Sequence, residues 1–286
     1  MAYLLAIASA AFYGAADFAG GLATRRSAAI PVVLFSQASG LVLLALLLPL
    51  LPPASPTRLD LVWGAAAGLT GGIGVALLYK ALAVGAMAVV APTTAVCAVA
   101  IPVVVSVGLG ERPLPLAVVG IVLAIASIVL VSWQQTTPHA EPRTRSTSRL
   151  PPGVGLALIS GVAIGLFFLT LARTDSAAGM WPILTARVVS VTLFGSLALA
   201  ARQSVRMPAA TMVLVLLAGV VDMIANAFYL IAAREGPLST IVTLSSLYPA
   251  STVLLARALL GERLNSWQIT GVGCALTAIV LIVSGG

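Results

Sequence analysis

The sequence is poor in charged residues. Asp, Glu, Lys and Arg make up only 8% of its 286 residues, whereas about 25% is usual in soluble proteins. Apolar residues make up 60%, and the mean hydropathy is +1.12. So few charges cannot cover an apolar interior of that size in water. The composition therefore excludes a soluble domain and predicts an integral membrane protein.

Cysteine and histidine are scarce as well. The chain has two cysteines, Cys97 and Cys274, both within apolar stretches, and a single histidine, His139. These numbers exclude a disulfide framework, a zinc site and an iron–sulfur cluster, so we expect no metal and no cofactor. The glycine run around Gly72 is not followed by Lys-Ser or Lys-Thr, so it is not a phosphate loop for ATP.

Basic residues exceed acidic ones, with 15 Lys and Arg against 8 Asp and Glu. They lie singly or in pairs between apolar segments, which is typical of the loops of membrane proteins and not of a nucleic-acid surface. When the loops are assigned to alternating sides, nine Arg fall on one side and four on the other. This count predicts that both termini lie outside the cell.

Ten apolar stretches are long enough to cross a bilayer, whose hydrocarbon core of about 30 Å needs about 20 helical residues. They cover residues 3–23, 30–51, 61–83, 86–108, 114–133, 153–173, 180–201, 209–232, 238–260 and 264–284. The first stretch lacks a basic leader and is longer than the apolar core of a signal peptide, so we interpret it as a retained helix. The only long polar segment, residues 134–152, predicts a linker between two halves.

The two halves repeat each other at a separation of 151 residues, without a gap. The matching positions include Ser9 and Ser160, Gly14 and Gly165, Pro31 and Pro182, Ser39 and Ser190, Gly68 and Gly219, and Gly110-Glu111-Arg112 and Gly261-Glu262-Arg263. Each half has five spans, an odd number, so equivalent helices would cross the membrane in opposite directions. The predicted fold is an all-α membrane protein of ten transmembrane helices, arranged as inverted five-helix repeats over residues 1–133 and 153–286 with a linker at 134–152.

These features resemble the EamA-like family of the drug/metabolite transporter superfamily. The resemblance rests on the ten spans, the duplication, and the late helix in each half that runs into Gly110-Glu111 or Gly261-Glu262 and is followed by a further helix. It implies transport of small molecules, commonly export of amino acids, metabolites or toxic compounds. Characterised members of that family are usually drawn with both termini in the cytoplasm, opposite to the charge count. The turns themselves are interpreted as helix ends, with Gly110 and Gly261 as C-terminal caps.

Ionisable side chains at mid-bilayer cost about 2.5–3.5 kcal/mol, so they usually face a cavity or a partner. Asp222 lies near the centre of the eighth span with Asn226 and Tyr229 at helical spacing, which makes it the leading candidate for a binding site. The alternative is a permanent structural ion pair between Asp222 and Arg187. Arg187 itself either joins the site or extends toward the nearer membrane surface.

Other polar positions share the faces of these helices. Asp17 follows Tyr13 and Ser9 at four-residue intervals on the first span. Lys80 is expected to reach for the membrane surface, with its neighbour Tyr79 as an interfacial anchor. Residues near helix-weakening prolines on the fourth and ninth spans complete the set. The predicted substrate-binding residues are Asp222, Asn226, Tyr229, Arg187, Ser190, Tyr13, Asp17, Ser36, Gln37, Thr94, Ser245, Tyr248 and Phe168.

The predicted function is a secondary active transporter in the plasma (inner) membrane that exports a small metabolite, such as an amino acid or drug-like compound, by alternating access. Its expected partners are the substrate, the lipid bilayer and, through a titrating acid such as Asp222, protons. The oligomeric state stays open, a monomer included. One alternative is a channel or facilitative pore. A membrane-embedded enzyme is less favoured, because the sequence has one loop histidine and no active-site motif.

Overall fold

The computed structural model describes residues 1–108, 115–132, 151–171, 173–235, 244–245, 247–262, 264 and 266–284. In these ranges the chain is helical, and no β-strand occurs. The helices are α1 Ala2–Thr24, α2 Ala29–Leu47, α3 Arg58–Val84, α4 Met87–Gly108, α5 Pro115–Ser132, α6 Val154–Leu171, α7 Trp181–Ala200, α8 Ala209–Glu235, α9 Tyr248–Leu260 and α10 Ser266–Ser284. Short 3₁₀ turns follow α2 at Leu48–Leu50 and precede α7 at Ser176–Ala178.

Six helical segments within the described ranges are long and apolar enough to cross a membrane, judged by length and composition. They are α1, α3, α6, α7, α2 extended to Leu50, and α8 as far as Ala232. Large apolar side chains also stand on the outer surface, for example Leu46 at 70% exposure and Leu199 at 81%. Apolar surface of this extent suits contact with lipid and not with water. The prediction of an all-helical, multi-pass membrane protein is confirmed. The arrangement of ten crossings in two repeats stays a prediction.

Several helix ends follow from local chemistry. Thr57 and Asp60 form a reciprocal capping box at the start of α3, with Thr57 N donating to Asp60 Oδ2 at 2.8 Å and Asp60 N donating to Thr57 Oγ1 at 3.2 Å. Gly261 ends α9 in the left-handed region at φ +64°, which confirms its prediction as a C-terminal cap. Gly110, the matching predicted cap, lies outside the described residues. Pro249 lies in the first turn of α9, where a proline does not kink the helix.

Two groups of loops lie on different faces of the bundle. On the first, which we call the linker face, Arg25 pairs with Glu262 at 3.4 Å. On the second, the opposite face, Ser55 N donates to the carbonyl of Ala177 at 2.9 Å and Asp175 N donates to Asp60 Oδ1 at 2.8 Å. The loops after α1 and α9 therefore meet on one face, and the loops after α2 and α6 meet on the other.

Glycines allow helices from the two halves to approach closely. A Cβ at Gly68 on α3 would overlap the backbone of Ala186 on α7. A Cβ at Gly71 or Gly74 would press on side chains of α6, with Phe167 at 2.7 Å from the first. Small residues are the usual means by which membrane helices pack at short distance. The helices that carry polar residues are thus held within reach of one another.

Candidate functional site

The centre of the site is an ion pair between α7 and α8. Arg187 Nη2 donates to Asp222 Oδ2, and Arg187 Nη1 donates to Gln37 Oε1 on α2 at 2.5 Å. Arg187 and Gln37 are each only 5% exposed. A single guanidinium therefore joins three helices, two of them from the second half and one from the first. A charge-assisted bond of this kind in a low-dielectric setting fixes the geometry of all three partners.

Asn226 supports the same carboxylate from one turn further along α8. Its Nδ2 donates to the backbone carbonyl of Asp222 at 2.8 Å and lies 3.4 Å from Asp222 Oδ2. Of the two alternatives that the sequence left open for Asp222, the structure shows the ion pair with Arg187. The Asp222 side chain nevertheless keeps 16% of its surface exposed, so the pair is not sealed from the interior of the bundle.

Asp17 on α1 is the acid that lacks a partner. It is 9% exposed, and among the residues that the structure describes it makes no ion pair and accepts no hydrogen bond. Its carboxylate lies within electrostatic reach of Asp222. Asp222, the leading candidate from the sequence, is thus the paired acid, and Asp17 is the unpaired one. Periodicity shows which face of a helix a residue occupies, but not which side chain lies across from it.

Aromatic rings from four helices lie in the same region as the two acids. The rings of Tyr13 and Tyr248 lie 6.4 Å apart, centroid to centroid, in an edge-to-face arrangement, and those of Phe168 and Tyr229 lie at the same separation. Tyr13 is within electrostatic reach of Asp17, Asp222, Arg187 and Tyr229, so these groups share one region. Tyr13, Phe168 and Tyr229 are half-buried, whereas Tyr248 is buried with a hydroxyl that has no hydrogen-bond partner among the described residues.

Tyr79 belongs to the same region, although the sequence analysis interpreted it as an interfacial anchor. It is 2% exposed and interacts electrostatically with both acids of the site, and its ring lies against Gly20 of α1, where a Cβ would overlap it. A sequence signal was available, because Tyr79 falls on the same helical face as Gly68 and Gly72. Its neighbour Lys80 is exposed, as expected for a residue that reaches for the membrane surface.

Four hydroxyl-bearing candidates have other surroundings. Ser190 Oγ donates to the carbonyl of Gly68 on α3 at 2.7 Å, and Ser245 Oγ donates to the carbonyl of Ala6 on α1 at 3.5 Å, so both hydroxyl protons are engaged in helix contacts. The hydroxyl of Thr94 is buried without a hydrogen-bond partner among the described residues, whereas Ser36 interacts with the hydroxyl of Tyr79. Unpaired buried hydroxyls cost free energy, and such atoms are available to a ligand.

Comparisons with known proteins found one family match and a similar solved structure. Residues 151–284 match the family model described as the EamA-like transporter family. No curated protein matches the chain. A crystal structure of a protein 16% identical in sequence has a similar fold, with a TM-score of 0.59 over 98% of this chain and 95% of the other. At that identity the likeness concerns the fold alone, and it extends over both halves.

Proposed function

We propose that the whole protein is a secondary transporter working by alternating access, because residues 151–284 match the model of the EamA-like transporter family. It exports a small metabolite or drug-like compound across the plasma membrane from a polar site midway through the bundle. EamA-like proteins are transporters, so the family does not favour an enzyme. The observation that carries the proposal is the ionic and aromatic cluster held between the two halves by otherwise apolar helices.

A pair of reciprocal hydrogen bonds supports the inverted repeat. Ser9 Oγ donates to the carbonyl of Ala225 at 2.9 Å, and Ser160 Oγ donates to the carbonyl of Gly74 at 2.7 Å. Adding 151 to Ser9 gives Ser160, and subtracting 151 from Ala225 gives Gly74. The second bond is thus the first one with the two halves exchanged, which is what a two-fold relation between them produces.

Helix packing follows the same exchange. If α1 to α5 correspond to α6 to α10, contacts of α1 with α8 should be matched by contacts of α6 with α3, and contacts of α2 with α8 by contacts of α7 with α3. All four pairs of helices pack together. At residue level, Gly68 lies against the backbone of α7 at Ala186, and its counterpart Gly219 lies against the backbone of α2 at Ser36.

The cluster lies close to the proposed axis between the repeats. Helices α2 and α7 correspond to each other, and they also pack together. Exchanging the two repeats therefore maps this contact onto itself. The bond from Arg187 to Gln37 crosses this contact. In transporters built from inverted repeats, substrate sites lie at the interface of the repeats near the bilayer midplane, and rocking of one repeat against the other opens the site to either side.

Contacts between the halves join their loops at both ends of the bundle. On the linker face Glu262 binds Arg25, and on the opposite face Ser55 binds Ala177. Alternating access requires that these two sets of contacts open in turn. A channel, the second candidate from the sequence, has no specific structural observation in its favour.

Transport is tested with the purified full chain in proteoliposomes. A thermal-shift screen of amines, amino acids and sugar phosphates identifies ligands, and each hit is then tested for counterflow. We expect saturable uptake that is stimulated by substrate on the other side of the membrane. Conductance far above carrier turnover, without such stimulation, would refute a carrier and favour the pore.

The inverted arrangement has a separate test, using a chain in which Cys97 and Cys274 are replaced by alanine. Single cysteines are introduced as Ser55→Cys on the opposite face and as Arg206→Cys, its counterpart 151 residues later. Both parent residues are exposed. A membrane-impermeant maleimide should label these positions from different sides of sealed vesicles. Labelling of both from the same side contradicts the inverted repeat.

A further inference from the structure

We infer that Asp17 is a cation-binding carboxylate, which carries a proton when the transporter is empty and faces the positive nitrogen of an organic cation when it is loaded. This inference rests on the proposed function and names its substrate class: monovalent amines or quaternary ammonium compounds with an apolar body. The ion pair of Arg187 and Asp222 then has a structural role, which is to hold the helices in place.

The first step is the charge balance of the site. Among the described residues the central cluster contains two acids, Asp17 and Asp222, and one base, Arg187. Arg187 is bound to Asp222 and to Gln37, so it has no free counter-charge to offer Asp17. The nearest basic residue along α1, Arg25, binds Glu262 on the linker face. The site therefore carries one uncompensated acid.

The second step concerns what could neutralise that acid within the bundle. The titratable groups that interact electrostatically with it are Asp222 from α8, Tyr79 from α3, Tyr248 from α9 and Tyr13 from α1 itself, while Arg187 from α7 interacts with Tyr13 and Tyr79. Helix α2, which also packs on α1, contains no titratable residue. None of these groups forms an ion pair or a hydrogen bond with Asp17 in the described structure. A buried charge without a partner is strongly unfavourable, so neutralisation has to come from a proton or a bound cation.

The third step is the aromatic surface beside the acid. The Tyr13 ring lies one helical turn before Asp17 and meets the Tyr248 ring at 6.4 Å between centroids. Tyr229 interacts electrostatically with Tyr13, and its ring lies 6.4 Å from that of Phe168. Aromatic faces attract ammonium groups, more strongly where water is excluded. An acid next to aromatic rings is therefore complementary to a cation with apolar substituents.

The same geometry disfavours the other ligand classes. An anion or the carboxylate of a zwitterion needs a basic partner, and the charge of Arg187 is already balanced by Asp222. An anion bound there would share one guanidinium with Asp222 and leave an uncompensated negative charge in the site. A monovalent cation requires no rearrangement, since it replaces one proton at Asp17.

The exchange step balances in charge and in protons. When the cation enters, the carboxylic acid of Asp17 releases its proton to water on the side to which the site is open, and the carboxylate then faces the cation. When the cation leaves on the other side, a proton from that side returns to Asp17. One proton moves inward for each monovalent cation that moves outward, and no net charge crosses the membrane.

The test measures binding of benzyltrimethylammonium, a quaternary cation without a titratable proton, to the full chain in detergent. Calorimetry in two buffers of different ionisation enthalpy gives the number of protons released. We expect about one proton per cation bound, and a dissociation constant that falls about tenfold per unit rise in pH while Asp17 is protonated in the free protein. The anion benzenesulfonate should not bind.

Asp17→Asn should abolish cation binding, and Asp175→Asn should leave it unchanged, because Asp175 lies in a loop on the opposite face. No binding of benzyltrimethylammonium to the unaltered protein, binding without proton release, or undiminished binding by Asp17→Asn would each overturn the inference. The first two results need no variant, so misfolding of a variant cannot hide them.

Counterflow of the same cation in proteoliposomes separates the inference from the proposed function. If the cation binds with proton release but no counterflow of any ligand occurs, alternating-access transport is refuted and the cation site at Asp17 stands. If a neutral or anionic ligand shows counterflow that Asp17→Asn leaves intact, transport stands and the inference about Asp17 is wrong.

Discussion

Replacing Asp222 by asparagine leaves the guanidinium of Arg187 inside the bundle without a counterion. Breaking a buried ion pair by removing one partner costs about 3–5 kcal/mol. The Arg187 side chain is 7% exposed and that of Asp222 is 16% exposed, so the guanidinium is buried and the carboxylate is half-buried. Asparagine can still accept one hydrogen bond from Arg187, so we expect Asp222→Asn to lower the free energy of unfolding by about 3 kcal/mol, near the lower end of that range.

A double-mutant cycle isolates the contribution of the pair. Arg187→Met removes the charge, and the double variant Arg187→Met/Asp222→Asn removes both partners. Because the double variant leaves no unpaired charge, it should be less destabilised than the sum of the two single variants, with a coupling energy of about 2 kcal/mol. The assay is equilibrium unfolding in mixed micelles at increasing SDS fraction, followed by circular dichroism. Additivity within about 0.5 kcal/mol would refute the ion pair as a stabilising contact.

Three further predictions use the same unfolding assay. Ser9→Ala and Ser160→Ala should each cost about 1 kcal/mol, the usual net value of one hydrogen bond, and unequal effects would argue against equivalent roles in the two halves. Gly219→Ala should be severely destabilising because its Cβ would overlap the carbonyl of Ser36, whereas Gly273→Ala, with open space around it, is the matched control and should have little effect. Glu262→Ala should cost about 2 kcal/mol, the value of hydrogen bonds to a charged group, because it frees the amides of α4 and the side chain of Arg25; a neutral effect would contradict that role.

The sequence predicted the helices well, because a helix in a membrane is determined by a local run of apolar residues. The predicted span at 180–201 is α7 Trp181–Ala200, and the span at 61–83 is α3 Arg58–Val84. The ninth span was predicted at 238–260, and the described helix there begins at Tyr248, just before Pro249. Residues 236–243 and 246 of that region lie outside the described structure, as do Glu111, Arg112 and most of the predicted linker.

The site was predictable as a set of residues but not as a set of pairs. Helical spacing places Tyr13 and Asp17 on one face of α1 and Asp222 and Asn226 on one face of α8, and the structure brings these faces together. Which acid pairs with Arg187 depends on the rotation of α7 about its axis and on the position of Gln37 on α2. This pairing is determined by packing between residues far apart in the chain, so no local sequence pattern predicts it.

The carboxylate of Glu262 has a consequence for how the protein is made. It accepts hydrogen bonds from the amides of Met87 and Ala88 at 3.1 and 3.0 Å, at the start of α4, and it binds Arg25 at the end of α1. The ribosome synthesises the chain from its N-terminus. More than half of the polypeptide is therefore added after the start of α4 before Glu262 is present to accept these hydrogen bonds. The N-terminal half expressed alone should therefore be trapped short of its final arrangement, and supplying the C-terminal half as a separate polypeptide should rescue it.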